Sequence, residues 1–452
     1  MRRSLRTLAA AVIGTLVVSM GVLVNLAPQA AAAPSKEALS GSLPVDPKST
    51  LTVNPVVYGN TVVVVATFAK PYLYKGRVVS LQRQVGTAWR EVKAAKMDSK
   101  GRTEFRLTRS TKNPYDSYSY RAVAEKFQYK KKWQKLATTV KRSASDQWTR
   151  TLNDQFNGTK LDPHNWATRS DGVLTGSRLC SAPDPRNVAV KDGKLSLTMK
   201  KADARLKAEA IKAAKAAQQG AKDAAIRKAR AAIEKAKAQQ KAAKKASARK
   251  QADAAKRKAD AALKQAKAIK LTGCPKGVYT NAMVGTGGKF SVSEGIVAAR
   301  IKFPKGQGMH GSAWLQSEGG QEIDFIETFG YGKGITNVIH VPSGGKLVKI
   351  PAKSSDGYVL KSEVKKSSWW DKYHVFSVEW TTRQLVFRID GQVTRTITRK
   401  TASRKYYLVL SLLSSDWELP LLTKPGQGAK GVKKTTLPSS MLVDWAQAWE
   451  KA

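Results

Sequence analysis

The chain has 452 residues, 42% of them hydrophobic, and carries 80 Lys or Arg against 33 Asp or Glu, a formal net charge of +47. That length exceeds one ordinary domain and predicts two or three, with enough apolar residues for a packed core in at least one. So basic a balance excludes indifference to polyanions. It favours anionic partners such as phosphate-rich cell walls, acidic polysaccharides, nucleic acid or anionic membrane surfaces. The four histidines are scattered without metal-ligand spacing, so no transition-metal site is expected.

Arg2, Arg3 and Arg6 precede an apolar run from Leu8 to Leu26, and the small residues Ala30 to Ala33 follow. Together they read as an export signal over residues 1–33, cleaved near Ala32, the alternative being a retained anchor. No other stretch approaches the ~18 apolar residues that a membrane-spanning helix needs. The mature protein is therefore expected to be secreted, extracellular or cell-wall associated. Export places Cys180 and Cys274 in an oxidising compartment, and with only two cysteines their pairing is unambiguous.

Residues 34–50 read as a linker. Over 51–145 the pattern is β, with strands expected at Val56-Val-Tyr58, Thr61-Val-Val-Val-Val-Ala-Thr67, Val78-Val-Ser-Leu-Gln-Arg-Gln84, Thr103-Glu-Phe-Arg-Leu107 and Tyr118-Ser-Tyr-Arg-Ala-Val-Ala124. Turn residues at Gly59-Asn60, Gly86 and Gly101 separate them, which predicts a small β-sandwich. The piece Leu81-Gln-Arg-Gln-Val-Gly-Thr-Ala-Trp89 resembles the immunoglobulin-like modules attached to many bacterial exported proteins. A spacer or adhesion role is expected of it.

Residues 146–452 read as a second β domain. Strand-like runs include Asn187-Val-Ala-Val190, Leu195-Ser-Leu-Thr-Met199, Ile296-Val-Ala-Ala-Arg-Ile-Lys-Phe303, His374-Val-Phe-Ser-Val-Glu-Trp380, Leu385-Val-Phe-Arg-Ile-Asp390 and Tyr406-Tyr-Leu-Val-Leu-Ser-Leu412. One helical insertion, 200–271, interrupts them. Residues 201–270 hold 28 Ala and 22 Lys or Arg against six Asp or Glu, with no Pro and a single Gly. These are strong helix formers with too few large apolar residues for a core of their own. Because strands resume after the insertion, its ends must lie close together, and a helical hairpin meets that need. Folding near Ala236–Ala238 would set Leu206 opposite Ile269 and Ile211 opposite Leu263.

The sharpest feature is Gly320-Gln-Glu322-Ile-Asp324-Phe-Ile-Glu327-Thr-Phe-Gly330. Residues two apart on a strand share a face, so Glu322 and Asp324 point together. A β-bulge between Asp324 and Glu327 would return Glu327 to that face. Ile323 and one of Phe325 or Ile326 would then back the acids from the core. Three like charges on one face serve no packing need, whereas glycoside hydrolysis requires two carboxyl groups. A solvated acidic edge strand is the plain alternative.

The run Glu-Ile-Asp-Phe-Ile-Glu resembles the signature of glycoside hydrolase family 16 in its bulged, laminarinase-like form. Further matches fall in the family's order: Phe156-Asn-Gly-Thr-Lys-Leu-Asp162 with Trp166, Tyr279-Thr-Asn-Ala282, Gly288-Lys-Phe-Ser291, Ala299-Arg-Ile-Lys-Phe-Pro304, Trp314-Leu315, Tyr373 to Trp380, Phe387-Arg-Ile-Asp-Gly391 and Val443-Asp-Trp445. The resemblance implies an all-β chain: a jelly-roll β-sandwich catalytic domain with the Lys/Ala-rich helical insertion, preceded by the small sandwich. It implies a retaining endo-hydrolase of β-1,3 or mixed β-1,3/1,4 glucan. Glu322 would be the nucleophile, Glu327 the general acid and then base, and Asp324 the carboxyl between them.

Met309-His-Gly-Ser-Ala-Trp314 departs from the family's Trp-Pro pair, Ala298 replaces a frequent Glu, and a Trp common before the acids is missing. The sugar-stacking floor is therefore expected to differ. Candidate substrate contacts are His310, His340, Trp314 and Trp417. No cofactor is expected. The family often holds a structural Ca²⁺, for which no ligand set is readable. Expected partners are a polysaccharide substrate and, through the insertion, an anionic cell-wall polymer or other polyanion, without specific nucleic-acid recognition. Two other readings remain: hydrolysis of another polysaccharide such as a galactan, and a non-catalytic basic cell-wall or polyanion binder on the same fold.

Overall fold

The period-two burial of β-branched and aromatic residues organises this chain into sandwiches. The computed structural model describes residues 43–108, 118–135, 137–169, 180–306, 308–328, 335–343, 346–350, 358–359, 369–398, 404–414 and 437–452. The export-signal reading at residues 1–33 lies outside them. No helix among the described residues is long and apolar enough to cross a membrane.

In the N-terminal domain, Thr50–Val53, Thr61–Thr67 and Arg102–Thr108 form one sheet. Ala88–Lys96, Val78–Val85, Tyr120–Ala124 and Ala137–Thr138 form the other, in that order. Val53, Val62, Val64, Leu81, Phe105 and Tyr120 fill the space between. Val56-Val-Tyr58, expected as a strand, is not one; the first strand ends at Val53. Val56 and Tyr58 instead bury against the second domain, beside Trp148, Ile296, Ala298, Val375 and Trp449. Their alternation records this contact rather than a sheet ladder. Tyr58 Oη and Ser377 Oγ, 2.8 Å apart, share a hydrogen bond across the seam, and Arg388 pairs with Glu104 at 3.0 Å. The seam also accounts for Ala298. It is fully buried there, and a carboxylate in its place would lose its water for an apolar surface.

The second domain is a sandwich of two antiparallel sheets. One runs Lys194–Lys201, Ser439–Lys451, Gly295–Lys302, His374–Trp380, Gln384–Ile389, Gln392–Thr398 in hydrogen-bonded order. Trp148–Asp154 pairs with the far half of Ser439–Lys451. The other sheet runs Tyr279–Gly285, Tyr406–Leu413, His310–Ser317, Glu322–Thr328, Ile335–Ser343, Lys346–Ile350. The sheets join where Lys200 pairs with Thr280. Neighbours in space are distant in sequence, and the result is a jelly-roll β-sandwich. Its core interleaves Leu197, Val297, Ile301, Phe376 and Phe387 from the first sheet with Val284, Leu315, Ile323, Leu408 and Leu410 from the second.

The insertion is a helical hairpin, Ala204–Ala242 and Ala246–Lys267. Asp203 caps its start by accepting the Leu206 N–H at 2.8 Å. The tip is Ala243–Lys245, not Ala236–Ala238. The difference has a packing cause. Leu206, Ala210 and Ala214 join the core of the sandwich instead of facing the second helix. The Gln218 side-chain amide donates to the Gly273 carbonyl at 3.0 Å and accepts the Gly273 N–H at 3.0 Å, which fixes the foot. Only the outer part of the first helix is left to pair, through buried Ala229, Ile233 and Ala236, with Ala252, Ala259 and Ala266 spaced seven apart on the second. Cys180 and Cys274 form a disulfide beside this foot, with Cα atoms 5.7 Å apart.

Candidate active site

Glu322–Thr328 is an inner strand of its sheet, flanked by His310–Ser317 and Ile335–Ser343. Its pairing slips between Asp324 and Glu327 on one side, and between Ala313 and Trp314 on the other. Phe325 is the extra residue: Ala313 faces Ile326 and Trp314 faces Asp324. The bulge restores Glu327 to the face of Glu322 and Asp324. The sequence reading placed one of Phe325 or Ile326 in the core; both are there, 1% and 0% exposed. Successive inward side chains are what a bulge produces, and they anchor the strand beneath the acids.

On the outer face each acid meets a histidine. His340, directly across from Glu322, brings Nε2 within 3.3 Å of Asp324 Oδ2 and 3.8 Å of Glu322 Oε1. His310 brings Nε2 to 2.8 Å from Glu327 Oε1. Asp324 is the most buried of the three acids, at 3% exposure. The acids thus have different surroundings, one imidazole bridging Glu322 and Asp324 and another serving Glu327. Two carboxyl groups given opposite tasks need such a distinction. Donor atoms of Glu322, Asp324 and His340 all lie within 4.8 Å of one another. Among the described residues no other grouping of His, Cys, Asp and Glu offers a cation three side chains.

Trp314 is half-buried on the same outer face, packed with Met283, Tyr407, Val409 and Leu413. Its Nε1 donates to Ser411 Oγ at 3.2 Å. This apolar strip lies beside Asp324 and forms a floor next to the acids. Tyr407, Met283 and Ser411 escaped sequence reading. Alternation in Tyr406-Tyr-Leu-Val-Leu-Ser-Leu412 marks two faces, but only the register with His310–Ser317 shows which one adjoins the acids. Burial raises the Tyr407 hydroxyl above its ordinary value; Arg169 opposes this, and Glu318 and Glu322 add to it. From Tyr407 the surface continues into a cavity of about 460 Å³ that also contacts Phe290, Glu318, Arg404 and Lys405. Trp417 lies outside the described residues.

A jelly-roll carrying paired carboxyl groups on the outer face of one sheet has the groups that glycoside hydrolysis requires. Residues 237–424 match the family described as glycosyl hydrolases family 16, which supports a glycoside hydrolase. Among curated proteins nothing matches. Among solved structures, the chain is similar to the catalytic domain of an endo-1,3-beta-glucanase (laminarinase) from Thermotoga petrophila RKU-1. Identity is 17%, with 68% of this chain and 99% of that one covered and a TM-score of 0.41. It is similar also to an endo-beta-1,3-glucanase from Pyrococcus furiosus, at 18% identity, 73% and 99% coverage and a TM-score of 0.43.

Proposed function

We propose that the protein is a secreted, retaining endo-hydrolase of β-1,3 or mixed β-1,3/1,4 glucan. The observation that carries this reading is the bulge at Phe325, which lines up Glu322, Asp324 and Glu327 on one outer face beside the Trp314 strip. Glu322 attacks the anomeric carbon and forms a glycosyl-enzyme. Glu327 protonates the departing oxygen, then takes a proton from the water that releases the sugar. Retention requires the two carboxyl groups about 5–5.5 Å apart. Asp324, with His340 against it, sets the charge around Glu322. The Trp314 strip takes the apolar face of a sugar ring. The reaction draws on carboxyl groups and water, and no cofactor enters it.

The choice of glucan rests on the laminarinase-like bulged form of the acid run, and export on the basic, apolar and small-residue order of residues 2–33. The basic hairpin supports an accessory role, holding the enzyme on an anionic cell-wall polymer. The test is release of reducing ends from laminarin, mixed-linkage glucan and galactans, with the anomer of the first product read by NMR. Glu322→Gln is expected to abolish release in a folded protein. Glu327→Ala should fail on polysaccharide and keep turnover of substrates whose leaving group needs no protonation. Near wild-type activity in Glu322→Gln would overturn the assignment. Activity on galactan alone would keep the mechanism and replace the substrate.

A further inference from the structure

The reaction leaves unused a cavity of about 550 Å³ between the two domains, a size common for small-ligand sites. It lies against the sheet that does not bear the acids, on its outward face. Trp148, Arg150, Trp445 and Trp449 form its floor, and Pro55 and Asn60 of the N-terminal domain form part of its rim. The floor follows from strand periodicity. Val443, Ala446 and Ala448 turn into the core, which leaves Trp445 and Trp449 outward, and Arg150 pairs with Trp449 on the neighbouring strand. The seam therefore gathers three indoles at one cavity.

Two of these indoles are committed to packing, but the cavity is not simply apolar. Trp148 is 7% exposed, yet its Nε1 has no hydrogen-bond acceptor among the described residues. A buried N–H in that state is costly. Trp445 is only half-buried, so part of its ring remains open. At the wall, Arg300 donates to Asp444 at 2.5 Å, and both side chains are partly exposed.

We propose that this cavity is a second saccharide site, which binds a pyranose unit of a neutral glycan and does not cleave it. A flat indole suits the C–H face of a pyranose. Sugar hydroxyls both donate to Asp444 and accept from Arg150, Arg300 or the Gln447 amide, all of which line the cavity. An anion would meet the Asp444 carboxylate that already holds Arg300, and a hydrocarbon would use none of the polar groups that line the cavity. Among the described residues Asp444 is the one carboxylate lining the cavity, so they supply no pair of the kind that hydrolysis needs. The proposal does not depend on the roles given to Glu322 and Glu327.

The test uses the full secreted chain with Glu322→Gln, so that oligosaccharides persist. Its ¹⁵N-labelled indole resonances are followed while laminarihexaose, cellohexaose, neoagarohexaose, mannohexaose or inorganic phosphate is added. The Trp148 signal, assigned through Trp148→Phe, is expected to move with at least one neutral oligosaccharide and not with phosphate. Trp445→Ala should weaken that response about tenfold or more. In the otherwise wild-type chain, the same substitution should leave turnover of short soluble oligosaccharides unchanged. Trp445→Phe, which keeps a ring in the seam, should bind with intermediate affinity. A Trp148 signal that no sugar moves would overturn the proposal, as would an undiminished response in folded Trp445→Ala or an equal response to phosphate.

Discussion

His310 Nε2 lies 2.8 Å from Glu327 Oε1, and their side chains are 11% and 14% exposed. The contact is fixed by register: Ser312 faces Glu327 across the sheet, and His310 is two residues away on the same face. In this chain the carboxyl proposed to move the proton is therefore held by an imidazole.

As a positioning residue, His310 should matter most when a poor leaving group must be protonated. His310→Ala is expected to lower kcat on polysaccharide about tenfold or more with little change in KM, within the range that positioned proton transfer supplies. The loss should shrink on aryl glycosides with good leaving groups, and His310→Gln should recover part of it. Steady-state kinetics on both substrate types decide it. Equal losses on the two would mean that His310 does not act through Glu327.

The Cys180–Cys274 bond closes a loop that contains the whole insertion. The chain-entropy treatment gives about 4–5 kcal/mol for so long a loop. Cys180→Ala/Cys274→Ala is expected to lower the midpoint of denaturant unfolding while leaving the acids in place, so that cold activity on soluble substrate persists. Unfolding curves with and without reductant, on both proteins, check this. A reductant effect of equal size in the double variant would place the effect elsewhere.

Glu379 lies under the N-terminal domain, among Arg388, Lys451, Arg102 and Glu104. Burial raises its carboxyl above the ordinary value, and Arg388 pulls the other way less strongly. The folded protein then holds this proton more tightly than the unfolded chain does. Its contribution to stability is full below the ordinary carboxylate range and declines as pH rises through the raised value. Glu379→Gln should therefore match the wild type in acid and exceed it in Tm at neutral pH. Melting curves across a pH series test the sign; a lower neutral Tm in the variant would show that pairing with Arg388 outweighs burial.

The hairpin can be shortened but not removed cleanly. Replacing residues 201–270 would strip Leu206, Ala210 and Ala214 from the core, a loss of about 2–5 kcal/mol for the leucine alone. Residues 221–268 hold 16 Lys or Arg against four Asp or Glu and lie beyond that foot. Exchanging them for a short Gly/Ser link should preserve turnover of soluble oligosaccharides. Retention on anionic wall fragments should fall, and the lost part should be the part that salt screens. Pelleting across a salt series, with hydrolysis measured in parallel, is the check. Unchanged pelleting at low salt would remove the anchoring role.

The acid face was legible because strand geometry leaves few choices: Glu322 and Asp324 share parity, and one added residue brings Glu327 back. The order of strands followed from runs such as His374–Trp380, whose ends the structure reproduces. The hairpin tip was not legible. Ala and Lys occur throughout, no turn residue marks Ala243–Lys245, and the register is set by Leu206 and Ala210 finding a distant core. Val56 and Tyr58 misled for a related reason. Burial against a neighbouring domain and burial within a sheet leave the same alternation. Trp148 and Trp449 drew no reading from the sequence, and only strand pairing brings them to one cavity with Trp445.

The foot of the insertion also determines how the enzyme would bear load. The longer helix reaches about 58 Å at 1.5 Å per residue, so a molecule held by its tip is a lever. Drag from a moving polymer would enter the domain at both ends of the insertion, through the foot at Leu206–Ala214 and through Cys274. The Cys180 bond passes that tension into Ser181–Pro183, which runs parallel to Tyr279–Asn281 in the ladder. Parallel strands pulled along their length share tension over several hydrogen bonds in shear instead of opening them one by one. A tethered enzyme could thus be tugged without its acid-bearing strand being unzipped.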